Sequence, residues 1–302
     1  MADTSSSATA APQRILVALA TGKQGSAVVR ALAAHNSAEH TRFAVLGCTR
    51  DASSAKASAL AALPGVTLLE TPYDAAALFA KAQQHGQRLD GVFSVQLSAD
   101  TTFEAEVALG CAMADEAAKA HVGLFVYASV QRGDVDKTDI VHFESKRAIE
   151  QYIADKHPTL PCAILRPVFF ADNLGDYGYS SKLFAAALNA CVKRPLQLVA
   201  CRDIGIVAAK AFAAPQEWHG KTLALAGDEL SVKEMAEQFK RVKGTALPST
   251  NSFLGLALVK SVAPLRTMFN FFNDPGFSAD IAKCKEVHPE MWTWREYVEH
   301  AW

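Results

Sequence analysis

Apolar and polar positions fall into two patterns that alternate up to Pro167. Residues 14–20, 43–48, 66–69, 91–95, 122–128 and 162–166 are short, almost continuously apolar runs that read as strands. Between them, residues 26–34, 53–63, 74 to about 85, 101–120 and 140–156 carry apolar side chains at helical spacing. The punctuation agrees. Pro64-Gly65 closes the second helix, Asp74 is placed to cap the third, Gly86 stops it, and Pro167 ends the sixth strand. This alternation predicts βαβ units and a parallel sheet. The strands lack polar alternation, as expected where helices cover both faces.

After Pro167 the pace is lost. A helix near 183–192, an apolar stretch at 204–212, a strand near 221–226, a helix at 232–242 and aromatic helical pieces follow. The expected organisation is a tail at 1–13, a large α/β domain at 14–166 and a small α/β lobe at 167–302, with some late segments returning to the main sheet. Such a lobe would cover the carboxyl ends of the strands, where open parallel sheets bind ligands.

Half of the 302 residues are apolar, enough for a sizeable core. The net charge of −1 offers no global positive field, so neither nucleic acid nor a membrane is expected as a partner. The most apolar stretch, 253–265, is broken by Lys260 and Pro264, well short of the run of about eighteen apolar residues that a membrane span needs. Residues 1–13 lack a basic and an apolar region, so they read as a solvated tail rather than a secretory signal. The six cysteines are scattered without metal-type or CxxC spacing. They read as reduced, buried thiols and point to the cytoplasm, or to the nucleus for a regulator.

The first candidate chemistry lies where the first strand meets the first helix. Leu19-Ala20-Thr21-Gly22-Lys23-Gln24-Gly25-Ser26 sets two glycines three apart at a strand-to-helix junction. There the backbone turns sharply and can bring N–H groups at the positive helix end against a pyrophosphate. Leu19 stands where the first glycine of the usual triplet would be. An unliganded tight turn is the alternative. After the second strand comes Cys48-Thr49-Arg50-Asp51. Arg50 can take a ribose 2′-phosphate in a bidentate charged contact, which favours NADP(H) over NAD(H). Asp51 weakens that contrast.

The second candidate is a polar strip. Ser129 follows the fifth strand, and His142 and Lys146 stand i,i+4 in His142-Phe143-Glu144-Ser145-Lys146. The stripe continues into Ile149 and Ile153, so Lys146 points at the sheet. Lys146 is a candidate contact for the nicotinamide ribose, His142 for proton transfer and Ser129 for a polar contact beside the ring. A snorkelling lysine, a hydrogen-bonded helix-start histidine and a strand-end serine are the structural alternatives.

These residues resemble the NmrA-like family, relatives of the short-chain dehydrogenase/reductases. Ala20-Thr21-Gly22-Lys23-Gln24-Gly25 looks like the family's opening turn. Thr49-Arg50-Asp51, the His142–Lys146 strip, 165–173, Asp203-Ile204-Gly205 and the tail 292–298 match in order, so the resemblance runs from Arg14 to near the end. It implies a Rossmann domain with a small carboxyl-terminal lobe. It places Thr21, Gly22, Lys23, Gln24 and Gly25 on the pyrophosphate, and Thr49 and Arg50 at the adenosine ribose. Tyr73 and Asp74 would lie by the adenine, and Gln96, Leu97 and Ser98 along the cofactor edge. Lys146 would reach the nicotinamide ribose, and Phe169, Phe170 and Asn173 would close the nicotinamide end. His142 stands where typical members of the wider group carry a catalytic tyrosine.

Two functions follow from the resemblance. One is an NADPH-dependent reductase of a small carbonyl or quinone-type substrate, with Phe169, Phe170, Tyr177 and Tyr179 as candidate pocket walls. The other is a non-catalytic, dinucleotide-responsive redox sensor acting through a protein partner, with 253–272 as a candidate surface. Gly-x-Ser-x-Gly, His-Glu-x-x-His and the Walker loop are absent from the sequence, which leaves hydrolase and P-loop chemistry without support.

Overall fold

The computed structural model of the chain describes residues 11–37, 40–86, 88–96, 102–175 and 178–302. In chain order the strands are β1 (Gln13–Val17), β2 (Phe43–Thr49), β3 (Val66–Glu70), β4 (Gly91–Ser94), β5 (Leu124–Ala128), β6 (Cys162–Pro167), β7 (Phe169–Phe170), β8 (Leu196–Val199), β9 (Thr222–Leu225) and β10 (Asp228–Leu230). The helices are α1 (Lys23–Ala33), α2 (Ala55–Ala61), α3 (Ala75–Gln83), α4 (Phe103–Lys119), α5 (Val141–Lys156), α6 (Tyr179–Cys191), α7 (Cys201–Ala213), α8 (Pro215–Trp218), α9 (Val232–Lys243), α10 (Ser252–Ser261), α11 (Ala263–Asn273), α12 (Ile281–Val287) and α13 (Trp294–His300).

Seven strands form one sheet in the order β3-β2-β1-β4-β5-β6-β9, and every neighbouring pair is parallel. This is the Rossmann-like α/β arrangement. Its order reverses between β1 and β4, the switch point at which such sheets open a crevice. β4 and β5 are buried along their whole length, which explains their unbroken apolar reading. Asp74 caps α3, as its position suggested, by accepting from Ala77 N at 2.8 Å.

Two differences from the sequence reading have physical causes. Helix α1 starts at Lys23, ahead of the apolar periodicity at 26–34, because its first turn faces the crevice and not the core. The apolar stretch 204–212 is the middle of α7, which packs on α1 beside the main sheet. Gly205 permits that approach: a Cβ there would lie 2.4 Å from the Ala27 carbonyl. The late strand, β9, joins the main sheet beside β6.

A second core lies on the carboxyl side. Here β8 pairs in parallel with β7 and antiparallel with β10. Leu188, Met235, Phe239, Phe269, Phe271, Phe272, Trp294 and Tyr297 fill it. The carboxyl-terminal segment is tied back by Asp203, whose fully buried carboxylate accepts from Trp292 N (2.9 Å) and meets His288 Nε2 (3.1 Å). No single helix among the described residues is long and apolar enough to cross a membrane.

Candidate functional site

The turn after β1 is built around one backbone oxygen. Gly22 N donates to Leu19 O at 2.9 Å. A Cβ on Gly25 would lie 2.1 Å from that same oxygen, so glycine is required there. Leu19 itself takes the left-handed conformation, with φ of 47°. The leucine holds a conformation that costs an ordinary residue about 1–2 kcal/mol. Gly22 caps α1 without a side-chain hydrogen bond, and the first turn of α1 carries no acid. Its N–H groups are thus set out as an anion site.

This turn forms one wall of a cavity of about 780 Å³ at the carboxyl ends of β1, β4, β5 and β6. Leu19 and Gly22–Gly25 come from the first strand's turn, and Val95 and Gln96 from the end of β4. Ser129 and Val130 come from the end of β5, and Pro167 and Val168 from the end of β6. The second core supplies an apolar far wall that includes Phe184, Met268, Phe272 and Phe277. Two amide oxygens, Gln24 Oε1 and Gln96 Oε1, are buried and have no hydrogen-bond partner among the described residues. Both residues line the cavity, and a buried acceptor without a donor is a place for a ligand's N–H or O–H. An open helix N-terminus, a cradle that a Cβ would fill and two unsatisfied acceptors together suit the pyrophosphate, ribose and carboxamide groups of a nicotinamide dinucleotide.

The polar strip is present, and Lys146 and Ser129 are already engaged. Lys146 faces the cavity as its helical stripe predicted, and its Nζ lies 2.9 Å from Glu106 Oε1 in α4. Both side chains are buried, and Ser145 Oγ donates to the other Glu106 oxygen at 2.7 Å. His142 lines the cavity next to Lys146. Burial, and then the Lys146 ammonium, hold its imidazole below the usual range, so it is neutral at pH 7. Ser129 donates to the buried carboxylate of Glu150, which also pairs with Arg166 and, at 3.6 Å, with Arg132.

Of the other residues expected at the cofactor, Lys23, Phe169, Phe170 and Asn173 also line the cavity. Lys23 Nζ spans the crevice to Asn173 Oδ1 at 2.7 Å. Thr21, Thr49, Arg50, Tyr73 and Asp74 lie outside it. Thr21 and Thr49 bring their hydroxyls to 3.4 Å and join the turn to the end of β2. Arg50 is exposed and has no ion-pair partner among the described residues. Asp51 turns its carboxylate to Ser53, accepting from N at 2.8 Å and Oγ at 2.6 Å. The Tyr73 hydroxyl donates to Val95 O, and the Asp74 carboxylate is used in capping α3. Leu97, Ser98, Tyr177 and tail residues 1–10 lie outside the described residues. Tyr179, expected as a pocket wall, is 62% exposed instead. Phe184, one and a half turns further along α6, holds the inward position.

The comparisons with known proteins bear on this geometry. The sequence model of the NmrA-like family matches residues 11–298. The chain belongs to the NmrA-like family. A search of curated proteins finds no match. Among solved structures, the chain is similar to NmrA, a negative transcriptional regulator, in complex with NADP (TM-score 0.69, 18% identity, 96% of this chain and 95% of that one). It is similar to the NADPH-dependent quinone oxidoreductase of Escherichia coli complexed with NADPH (0.70, 21%, 95% and 99%). A third is the triphenylmethane reductase of Citrobacter sp. complexed with NADP(H) (0.71, 16%, 96% and 100%). At these identities the likeness to the three structures is one of fold.

Proposed function

We propose that this NmrA-like protein binds NADP(H) and reduces a small, apolar carbonyl or quinone-type substrate. The observation that carries the reading is the continuity between the phosphate-type turn and the aromatic cavity at the strand ends. A dinucleotide laid along α1's first turn would bring its nicotinamide end into that cavity. The N–H groups up to Gly25 hold the pyrophosphate side, the Gln24 amide oxygen accepts from a ribose hydroxyl, and Gln96 accepts from the nicotinamide end. When bound, the reduced nucleotide supplies a hydride. Phe143, Phe169, Phe184 and Phe272 position the acceptor and exclude water. The pair of Lys146 with Glu106 presents an ammonium oriented toward the ribose hydroxyls. A neutral His142 is a weak acid, so an acceptor whose reduced form takes its proton from water suits this site best. The similar structures with quinone oxidoreductase and triphenylmethane reductase names support this reading.

The direct test is NADPH oxidation followed at saturating cofactor against a panel of quinones and aromatic carbonyl compounds. Steady turnover with at least one is expected; tight nucleotide binding without any turnover contradicts the reading. One observation favours the alternative of a dinucleotide-responsive regulator. Lys146 and Ser129 are both tied to buried carboxylates, so neither stands ready to deliver a proton. Equal affinity for oxidised and reduced nucleotide would remove the basis of that alternative.

Arg50 supports NADP(H) as the preferred form, because it is exposed and unpaired while Asp51 is held by Ser53. Arg50→Ala is expected to weaken NADPH about 10- to 100-fold, the scale of one charge-assisted contact, and NADH less than about twofold. Calorimetric titration checks this, and an equal loss for both nucleotides contradicts it.

A further inference from the structure

Helices α6, α10 and α11 form a cap on the second core. Gly255 crosses α6 so closely that a Cβ there would meet Ala187 N at 2.4 Å and Ala186 C at 2.5 Å. Asn189 Nδ2 donates to Ser252 Oγ at 3.0 Å, and Thr250 N to Lys182 O at 3.2 Å. The inner side of the cap supplies Phe184, Met268 and Phe272 to the cavity. Its outer side carries Tyr179 (62% exposed), Phe253 (72%), Leu254 (44%) and Val262 (37%). Among the described residues only Val135 and Val141 are comparably exposed large hydrophobic side chains.

The charge on this cap is one-sided. No Asp or Glu occurs in α6, α10 or α11, nor anywhere from Gln238 to Asn273. Lys182, Lys193, Arg194, Lys260 and Arg266 are all exposed. No ion pair between these five and a carboxylate occurs among the described residues. Lys182 is the one cation of α6, and the hydrogen bonds at Lys182 O and Asn189 hold α6 against the segment that leads into α10. The net charge of −1, which argued against any membrane contact, is an average over this basic cap and an otherwise acidic chain.

We propose that the outer face of the α6, α10 and α11 cap docks the protein on an anionic membrane surface. Apolar tips of this kind sink into the boundary between headgroups and acyl chains, and exposed lysines and arginines whose charge no carboxylate neutralises, three of them donating only to backbone carbonyls, meet the anionic headgroups. The exposed apolar side chains stand singly on helices that meet with a 110° bend. A fluid bilayer conforms to single protruding side chains, whereas a folded acidic protein would require a matching hollow. On the reductase reading, docking brings acceptors dissolved in the bilayer next to the cavity behind the cap. The docking itself rests on different residues from the nucleotide site.

The test is sedimentation of the full chain with vesicles of phosphatidylcholine alone or with about a third phosphatidylglycerol. At least tenfold stronger partition to the anionic vesicles is expected, falling as salt is raised. Phe253→Ser with Leu254→Ser, and Lys182→Glu with Lys260→Glu, are each expected to lower it at least tenfold at an unchanged melting temperature. Equal or absent partition to the two vesicle types overturns the proposal. So does unchanged partition in both double variants, or capture of an acidic protein without vesicle binding. NADPH affinity measured on the same samples separates the two readings. Its absence beside intact vesicle binding strikes only the nucleotide site.

Discussion

Gly25→Ala is expected to abolish nicotinamide nucleotide binding, with at least a hundredfold loss, and to destabilise the fold by roughly 2–4 kcal/mol. The added Cβ would lie 2.1 Å from Leu19 O, 2.7 Å from Leu19 C and 2.9 Å from Ala18 O. All three are backbone atoms, so no side chain can rotate away. Relief requires β1's last turn to separate from α1, which takes the first-turn N–H groups off the path of the pyrophosphate. Gly22→Ala is the matched comparison. Its Cβ meets only Leu19 O within 3.4 Å, at 3.2 Å, and a shift of a few tenths of an ångström accommodates it. Urea denaturation and calorimetric titration of both variants measure the contrast. Near-normal nucleotide affinity in Gly25→Ala would contradict the assigned cradle.

Removing the partner of Lys146 is the second large effect. Glu106→Ala leaves a buried ammonium with no carboxylate beside it and removes the closer of the two acceptors of the Ser145 hydroxyl, leaving only His142 O. Breaking a buried pair from one side costs about 3–5 kcal/mol, because the surviving charge stays desolvated. Replacing both members by apolar residues, Glu106→Leu with Lys146→Met, is expected to recover most of that loss, since neither charge is then stranded. The double variant separates structure from function. Its stability returns, while nucleotide affinity stays low if the ammonium contacts the ribose. Denaturation of Glu106→Ala and of the double variant, with NADPH titration of the double, reads both effects. A loss under about 1 kcal/mol in Glu106→Ala would mean that the pair is hydrated rather than buried.

The first half of the chain was legible because each strand is an apolar run closed by glycine, proline or a capping residue. Asp74 and Pro167 do in the structure what their positions announced. Lys146 could be read as inward-facing from its spacing to Ile149 and Ile153, which are buried with it. Its counter-charge could not be read. Glu106 lies forty residues away on α4, and nothing in local spacing says which acid crosses to which base. A buried lysine does demand some partner, so the signal was that an acid must exist, without saying where. The left-handed backbone of Leu19 was equally hidden. The sequence shows leucine in the place of the first glycine and leaves open how the turn is built. The cavity's far wall was lost with the regular pace after Pro167, because Phe184, Met268, Phe272 and Phe277 come together only through tertiary packing. The one-sided charge of the cap was present in the sequence from Gln238 to Asn273, but the whole-chain average concealed it.

Calorimetric titration of the purified full chain with NADPH, NADP+, NADH and NAD+ decides whether the cradle holds a dinucleotide. Micromolar binding of NADPH is expected, at least tenfold tighter than that of NADH, the difference supplied by the contact of Arg50 with the 2′-phosphate. Absence of binding by all four nucleotides at millimolar concentration would contradict it, and the reductase and regulator readings would fall together.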